Sequence, residues 1–111
     1  MEPLPTPDAR FLKKGKFILD LQAQRATFKD RVLSLPPTAF EYLVVLARYA
    51  PEAVDYQTLV LEAQNYKVEL NEARELAKYH IHVLRQELTA DTDQDDLLLT
   101  VRGVGYRLLE E

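Results

Sequence analysis

The sequence predicts an α+β fold in which a small N-terminal antiparallel sheet is followed by three helices and a C-terminal β-hairpin. Three observations support this order. Short β-favouring runs occupy residues 17–35, apolar residues recur at helical spacing between Phe40 and Leu88, and strand-like alternation returns after residue 96. A length of 111 residues suits one domain with one modest core.

Residues 1–10 are predicted to be a linker or tail, because they hold three of the six prolines and little apolar periodicity. The folded domain is expected to span residues 11–109. Its first part is predicted to be a meander of small antiparallel strands, since polar breaks separate three β-favouring runs. These runs are Phe17–Leu19, Ala26–Phe28 and Arg31–Leu35.

The first helix is predicted from an apolar stripe that ends at Pro51 and comprises Phe40, Leu43, Val44, Ala47 and, on its edge, Leu46. Its start is open between two interpretations about a residue apart. Thr38 and Glu41 have the spacing of a capping box, in which each side chain bonds a free backbone amide of the first turn. Alternatively, Pro37 serves as a first-turn proline, where its missing N–H costs nothing.

The second helix is predicted to begin at Asp55, whose carboxylate can accept the free amides of the first turn. It carries Leu59, Val60 and Ala63. The period breaks from Gln64 to Leu70, and a third helix is predicted from near Asn71. Its stripe, the strongest helical signal in the chain, comprises Ala73, Ala77, Ile81, Leu84 and Leu88.

The C-terminal hairpin is predicted from the alternation over residues 97–102, a glycine-containing turn at residues 103–105, and the run from Tyr106 to Leu109. Two of the three glycines lie in that turn, which indicates a positive φ or the close approach of another backbone. Tyr106 alternates with Leu108 and is expected to pack. The whole order predicts a winged helix-turn-helix with the hairpin as its wing.

Composition excludes several classes of protein. The longest apolar run, Tyr42–Ala47, is far too short to span a membrane, and the N-terminus lacks the apolar region of a signal peptide. The absence of Cys excludes disulfides and thiolate chemistry and agrees with a cytoplasmic location. No nucleophile motif or phosphate-binding glycine loop is present, so we expect neither an enzyme nor a cofactor.

The net charge of −4 by itself argues against a nucleic-acid partner, but the distribution of the charges removes this objection. Eight of the 18 acidic residues lie near the termini or in one short stretch, residues 91–96. The remaining ten acidic residues are outnumbered by 14 Lys and Arg, so the folded part carries a net charge of about +4. The acidic stretch lacks the central Gly and final Glu of a calcium loop, and we expect a solvated loop.

The outward face of the third helix is the candidate binding surface, since Lys or Arg there can read guanine and His or Tyr can contact phosphate or base. A solvated face of mixed charge is the alternative. His80 and His82 point about 200° apart and cannot share a metal ion. The face presents Asn71, Glu75, Lys78, Tyr79, His82 and Gln86, with Arg74 and Arg85 on its flank.

Three segments carry a resemblance to a known family. The run Thr100–Leu108, TVRGVGYRL, resembles the wing signature of OmpR/PhoB-type effector domains of bacterial response regulators. Residues His80–Leu88, in which His-Ile precedes Leu-Arg and a final Leu, are similar to the family's recognition helix. The segment Leu35–Leu43 resembles the start of its first helix. The similarity covers roughly residues 11–109.

The resemblance implies sequence-specific binding of double-stranded DNA, with the recognition helix in the major groove and the wing in the minor groove. It also implies RNA polymerase as a partner of the loop that contains Tyr66, Lys67 and Glu69, although a tolerated insertion would explain that loop equally well. The isolated domain is expected to be a monomer that binds DNA as a head-to-tail pair. A receiver or other regulatory domain would lie outside this chain. The implied DNA-binding residues are Arg74, Glu75, Lys78, Tyr79, His80, His82, Arg85, Arg102 and Arg107.

Some positions depart from the family pattern. Glu75 and Val83 stand where the family often has a basic residue. A carboxylate at position 75 either accepts a hydrogen bond from cytosine or forms a surface ion pair with Lys78 or Arg74. The alternative function is therefore a winged helix kept as a protein-interaction module, with its DNA face weakened by Glu72, Glu75 and Glu87.

Overall fold

The computed structural model describes residues 10–89 and 97–109 and confirms the α+β winged-helix architecture. Residues 1–9 of the predicted tail and the acidic stretch 91–96 lie outside the described residues. The order is β1 (Phe11–Lys14), β2 (Phe17–Asp20), β3 (Arg25–Phe28), β4 (Arg31–Leu33), α1 (Pro37–Tyr49), β5 (Val54–Asp55), α2 (Tyr56–Gln64), α3 (Leu70–Leu88), β6 (Leu98–Val101) and β7 (Gly105–Leu108).

The N-terminal sheet has four antiparallel strands in the order β1-β2-β3-β4. Strand β1 was not predicted, because its residues do not alternate between buried and exposed and it is defined only by its pairing with β2. Arg10, the last residue of the predicted tail, also belongs to this edge. Its guanidinium donates to both carboxylate oxygens of Asp20 at 2.9 and 3.0 Å and holds the pKa of Asp20 at about 2. Strand β4 ends at Leu33 rather than Leu35, just before the prolines.

Helix α1 begins at Pro37, which confirms the first-turn proline and shows that the capping box is wrong. Pro36 occupies the capping position and no side chain caps the helix, because Thr38 already lies inside the first turn. Burial also extends beyond the predicted stripe, since α1 packs against α2, α3, β1 and β7. Its buried residues are Ala39, Phe40, Tyr42, Leu43, Val44, Val45, Leu46 and Ala47.

Helices α2 and α3 follow the predictions closely. The Asp55 carboxylate accepts the Thr58 backbone amide at 3.0 Å. Hydrogen bonds from the Thr58 side chain and from backbone amides lower the pKa of Asp55. Asn65 ends α2 in the left-handed conformation, with φ of 57°. The buried residues of α3 are the predicted stripe, Ala73, Ala77, Ile81, Leu84 and Leu88. None of the helices in the described part of the chain is long and apolar enough to cross a membrane.

The C-terminal sheet has the order β5-β7-β6, and its short strand β5 was not predicted. Val54 and Asp55 of β5 lie opposite Tyr106 and Gly105 of β7. This pairing explains one of the two turn glycines, because a Cβ on Gly105 would collide with the Val54 carbonyl oxygen. Gly103 has a φ of +77° and open space around it. Gly103 therefore has the positive φ, and Gly105 the close approach of another backbone, that were inferred from the sequence.

Candidate nucleic-acid interface

An open groove of about 390 Å³ lies between the exposed face of α3 and the wing strand β7. We call it the α3–wing groove. Five of its residues are candidate DNA contacts named from the sequence, and the sixth is Tyr106. The lining residues are Glu75, Lys78, Tyr79, His82, Arg85 and Tyr106. The side chain of Tyr79 is 64% exposed, so this aromatic ring is presented at the surface rather than used in the core.

Arg85 connects α3 to the wing. Its guanidinium donates to the Leu98 carbonyl oxygen from Nε at 3.3 Å and from Nη2 at 3.0 Å. The same Nη2 donates to the Thr100 hydroxyl at 2.9 Å. Charged hydrogen bonds of this kind are stronger than neutral ones. Arg85 therefore holds the first wing strand at a fixed distance from α3 while it also lines the groove.

Tyr106 forms the wing side of the groove and has the packing role predicted for it. Its ring meets Tyr56 edge to face at 5.7 Å between centroids, and the Arg85 guanidinium lies 5.7 Å above it. Only 6% of Tyr106 is exposed, and this burial raises the pKa of its hydroxyl. Tyr56, Tyr106 and Arg85 thus pack together at the wing side of the groove.

Arg74 and His80 lie beside the groove rather than in it. The Arg74 guanidinium is 5.5 Å from the ring centroid of Tyr56, although the residue is exposed. The half-buried His80 ring packs against Tyr42 of α1 at 4.8 Å and against Tyr79 at 5.0 Å, and burial lowers its pKa. Across residues 10–89 and 97–109, no three His, Cys, Asp or Glu side chains come together as a metal site.

The two wing arginines differ in their surroundings. Arg102 is exposed in the turn between β6 and β7, and no described residue forms a hydrogen bond or ion pair with it. Arg107 is half-buried on β7, directly opposite Leu99 of β6. Neither side chain lines the α3–wing groove. Arg102 is therefore the wing cation most accessible to an external anion.

The loop between α2 and α3 exposes all three residues named as a candidate RNA polymerase contact, Tyr66, Lys67 and Glu69. The loop is anchored to α2, because the Gln57 amide donates to the Val68 carbonyl oxygen at 3.0 Å. A shallow groove of about 310 Å³ runs beside it. Its lining residues are Asp55, Gln57, Thr58, Leu61, Lys67 and Val68.

Sequence reasoning did not find that Thr100 and Tyr56 shape the site. Both act through partners that are distant in the chain, Arg85 for Thr100 and Tyr106 for Tyr56. No periodicity or motif records such pairs, since helical and strand periods report only which face is buried. The available signal for Tyr56 was its position three and four residues before Leu59 and Val60, which predicts burial but no partner.

Comparison with known proteins is consistent with this geometry. The family profile described as "Transcriptional regulatory protein, C terminal" matches residues 30–108. The chain is 30% identical over 99 residues to the DNA-binding response regulator MtrA of Mycolicibacterium smegmatis, covering 89% of this chain and 42% of MtrA. It therefore spans about two-fifths of the length of that relative.

Solved structures share the fold. The DNA-binding domain of CpxR from E. coli superposes with a TM-score of 0.72 at 27% identity, over 90% of this chain and 96% of that one. The RstA DNA-binding domain of Klebsiella pneumoniae, solved in complex with the RstA box, has a TM-score of 0.74 at 20% identity, over 90% and 97% of the two chains. The chain thus belongs to the family of transcriptional regulatory protein C-terminal domains, the winged-helix effector domains of the OmpR/PhoB type.

Proposed function

We propose that this chain binds double-stranded DNA sequence-specifically, as the effector domain of a bacterial transcriptional regulator of the two-component type. The observation that carries the proposal is the row of exposed side chains along one face of α3, together with the exposed Arg102 of the wing. In this arrangement α3 enters the major groove and the wing reaches the adjacent minor groove. The row comprises Glu75, Lys78, Tyr79 and His82.

The dimensions support this arrangement. A helix with its side chains is about 10–12 Å across, and the major groove of B-DNA is about 12 Å wide. From Glu75 to His82, α3 rises about 10 Å, which corresponds to about three base-pair steps. Lys78 near the middle of this row supplies a cation for phosphate or guanine. Its neighbours Tyr79 and His82 supply hydrogen-bonding groups.

The relatives support the same reading. MtrA is named a DNA-binding response regulator, and the RstA domain was solved with its RstA box. We further propose that a receiver or other regulatory domain lies outside these residues, that the protein acts in the cytoplasm, and that Tyr66, Lys67 and Glu69 contact RNA polymerase. We propose neither a catalytic activity nor a cofactor.

A salt titration of DNA binding tests the proposal. Each neutralised phosphate releases counterions, so about five phosphate contacts would give a log–log slope of about −4 to −5. Lys78→Ala should weaken binding. Lys67→Ala, which changes another exposed lysine, in the α2–α3 loop, should not. A slope near zero, with no site recovered from a random DNA pool, would instead support the protein-interaction module.

The selected sites also test how two copies are arranged. We propose that the isolated domain is a monomer and that two copies bind DNA head to tail. Such a pair requires direct repeats about one helical turn apart, because both copies present the same face in the same direction. Recovery of inverted repeats would contradict the head-to-tail arrangement and leave DNA binding itself intact.

A further inference from the structure

Glu75 lies on the surface of α3 that lines the α3–wing groove, between the helix and Tyr106. It is exposed and belongs to the second turn of α3, which begins at Leu70. In helix-turn-helix complexes the N-terminal part of the recognition helix is the part that contacts base edges. Among the acidic residues of α3, Glu75 alone lines this groove.

No cation of the protein neutralises Glu75 in the described parts of the chain. Neither Lys78 nor Arg74 comes within ion-pair distance of it. The Arg74 guanidinium lies over Tyr56, and the Arg85 guanidinium is bonded to the wing. The ion pair considered from the sequence is therefore not formed among these residues, and the carboxylate keeps its hydrogen-bonding capacity for an external donor.

Glu75 places a carboxylate among the side chains that line the α3–wing groove. An ionised carboxylate facing DNA is repelled by phosphate, so a contact there is favourable only if a base supplies a donor. The donors on the major-groove edge are the exocyclic amines of cytosine and adenine.

Chemistry distinguishes these two bases. Beside its N6 amine, adenine presents the N7 acceptor, which suits an amide side chain that can both accept and donate. A carboxylate offers only acceptors, and its second oxygen would face the N7 lone pair. Cytosine presents the N4 amine without an adjacent acceptor of its own. A carboxylate in the major groove is therefore matched to cytosine.

We infer that Glu75 is a specificity-determining residue that accepts a hydrogen bond from the N4 amine of a cytosine, so that the binding site contains one C·G pair set by this side chain. The inference rests on the proposed function, since it assigns a base to the same surface. The contact of Glu75 requires a base, whereas a phosphate alone would satisfy Lys78 or Arg102.

Selection from a random duplex DNA pool tests the inference with the full chain and the variants Glu75→Ala and Glu75→Gln. The wild-type chain should prefer cytosine at one position by about 5- to 150-fold, the range expected for the cost of one mismatched base pair. Glu75→Ala should lose the preference at that position alone and bind non-specific DNA slightly better. Glu75→Gln should shift the preference there towards adenine.

Glu72→Gln is the matched control, because Glu72 is an exposed acid on the same helix that does not line the groove. It should leave every selected base unchanged. A site for Glu75→Ala identical to the wild-type site overturns the inference, as does an undiminished cytosine preference in Glu75→Gln. If the wild-type chain enriches no site at all, the proposed function fails and the inference fails with it. If a site is enriched but does not change when Glu75 is replaced, only the inference fails.

Discussion

The guanidinium of Arg85 on α3 donates a hydrogen bond of 2.9 Å to the hydroxyl of Thr100 on β6. Together with the two bonds to the Leu98 carbonyl oxygen, this contact joins the recognition helix to the wing. Both elements would touch DNA in the proposed complex, and their separation decides whether they can reach adjacent grooves. Arg85 therefore positions the binding surface in addition to any contact it makes with DNA.

Arg85→Ala should lower the free energy of unfolding by about 1–2 kcal/mol, because it removes charged hydrogen bonds that are partly shielded from water. It should also weaken DNA binding on every sequence. Urea denaturation and a binding titration measure the two effects. Arg85→Lys provides the comparison: its single ammonium cannot reproduce the planar fork that spans Leu98 and Thr100, so it should restore stability only in part. Full restoration by lysine would contradict the positioning role.

Arg102→Ala should leave the free energy of unfolding unchanged within about 0.5 kcal/mol, because this exposed side chain has no described partner to lose. DNA affinity should fall by about 1–2 kcal/mol, and the salt slope should decrease in magnitude by about one unit. Binding at several salt concentrations measures both. Unchanged affinity together with an unchanged slope would show that the wing tip does not touch DNA.

Gly105→Ala should destabilise the fold by more than about 2 kcal/mol, since the added Cβ overlaps the Val54 carbonyl oxygen and must separate β5 from β7. Gly103→Ala should cost only about 1 kcal/mol, because its Cβ meets open space and the penalty comes from the positive φ alone. Urea denaturation of both variants gives the comparison. Equal costs would mean that the close approach of β5 does not constrain position 105.

Stability should fall below a pH of about 6.5 in a manner that depends on His80. Burial lowers the pKa of His80 in the folded chain below its ordinary value of 6.5. Between the two values the unfolded chain binds more protons, so the free energy of unfolding rises with pH there. Neutral His80 therefore makes its full contribution to the free energy of unfolding above pH 6.5. This contribution is lost as the pH falls through the pKa of His80 in the folded chain.

The difference in stability between wild type and His80→Phe isolates this effect from the titration of the carboxylates, since phenylalanine can keep the contact with Tyr42. Relative to this variant, the wild type should lose stability as the pH falls below 6.5. His82→Gln, which changes an exposed histidine on the same helix, should retain the loss. Parallel pH profiles for wild type and His80→Phe would show that the burial of His80 has no energetic consequence.

Local signals account for the parts of the fold that were predicted correctly. The Asp55 cap and the stripe from Ala73 to Leu88 depend on residues within one helix, so helical periodicity and capping chemistry report them directly. Strands β1 and β5 were missed because each is defined by its partner. Val54 and Asp55 become a strand only when β7 lies alongside them.

Local signals likewise predict one part of the candidate site, while the other part depends on tertiary packing. Helical periodicity alone predicts which residues of α3 are exposed, since the buried stripe leaves Glu75, Lys78, Tyr79 and His82 on the opposite side of the helix. The bond between Arg85 and Thr100 and the packing of His80 on Tyr42 depend instead on how the elements pack together. Periodicity sets the direction of a side chain only relative to the axis of its own helix. Its partners depend on the packing of other elements, and those contacts join residues far apart in the chain.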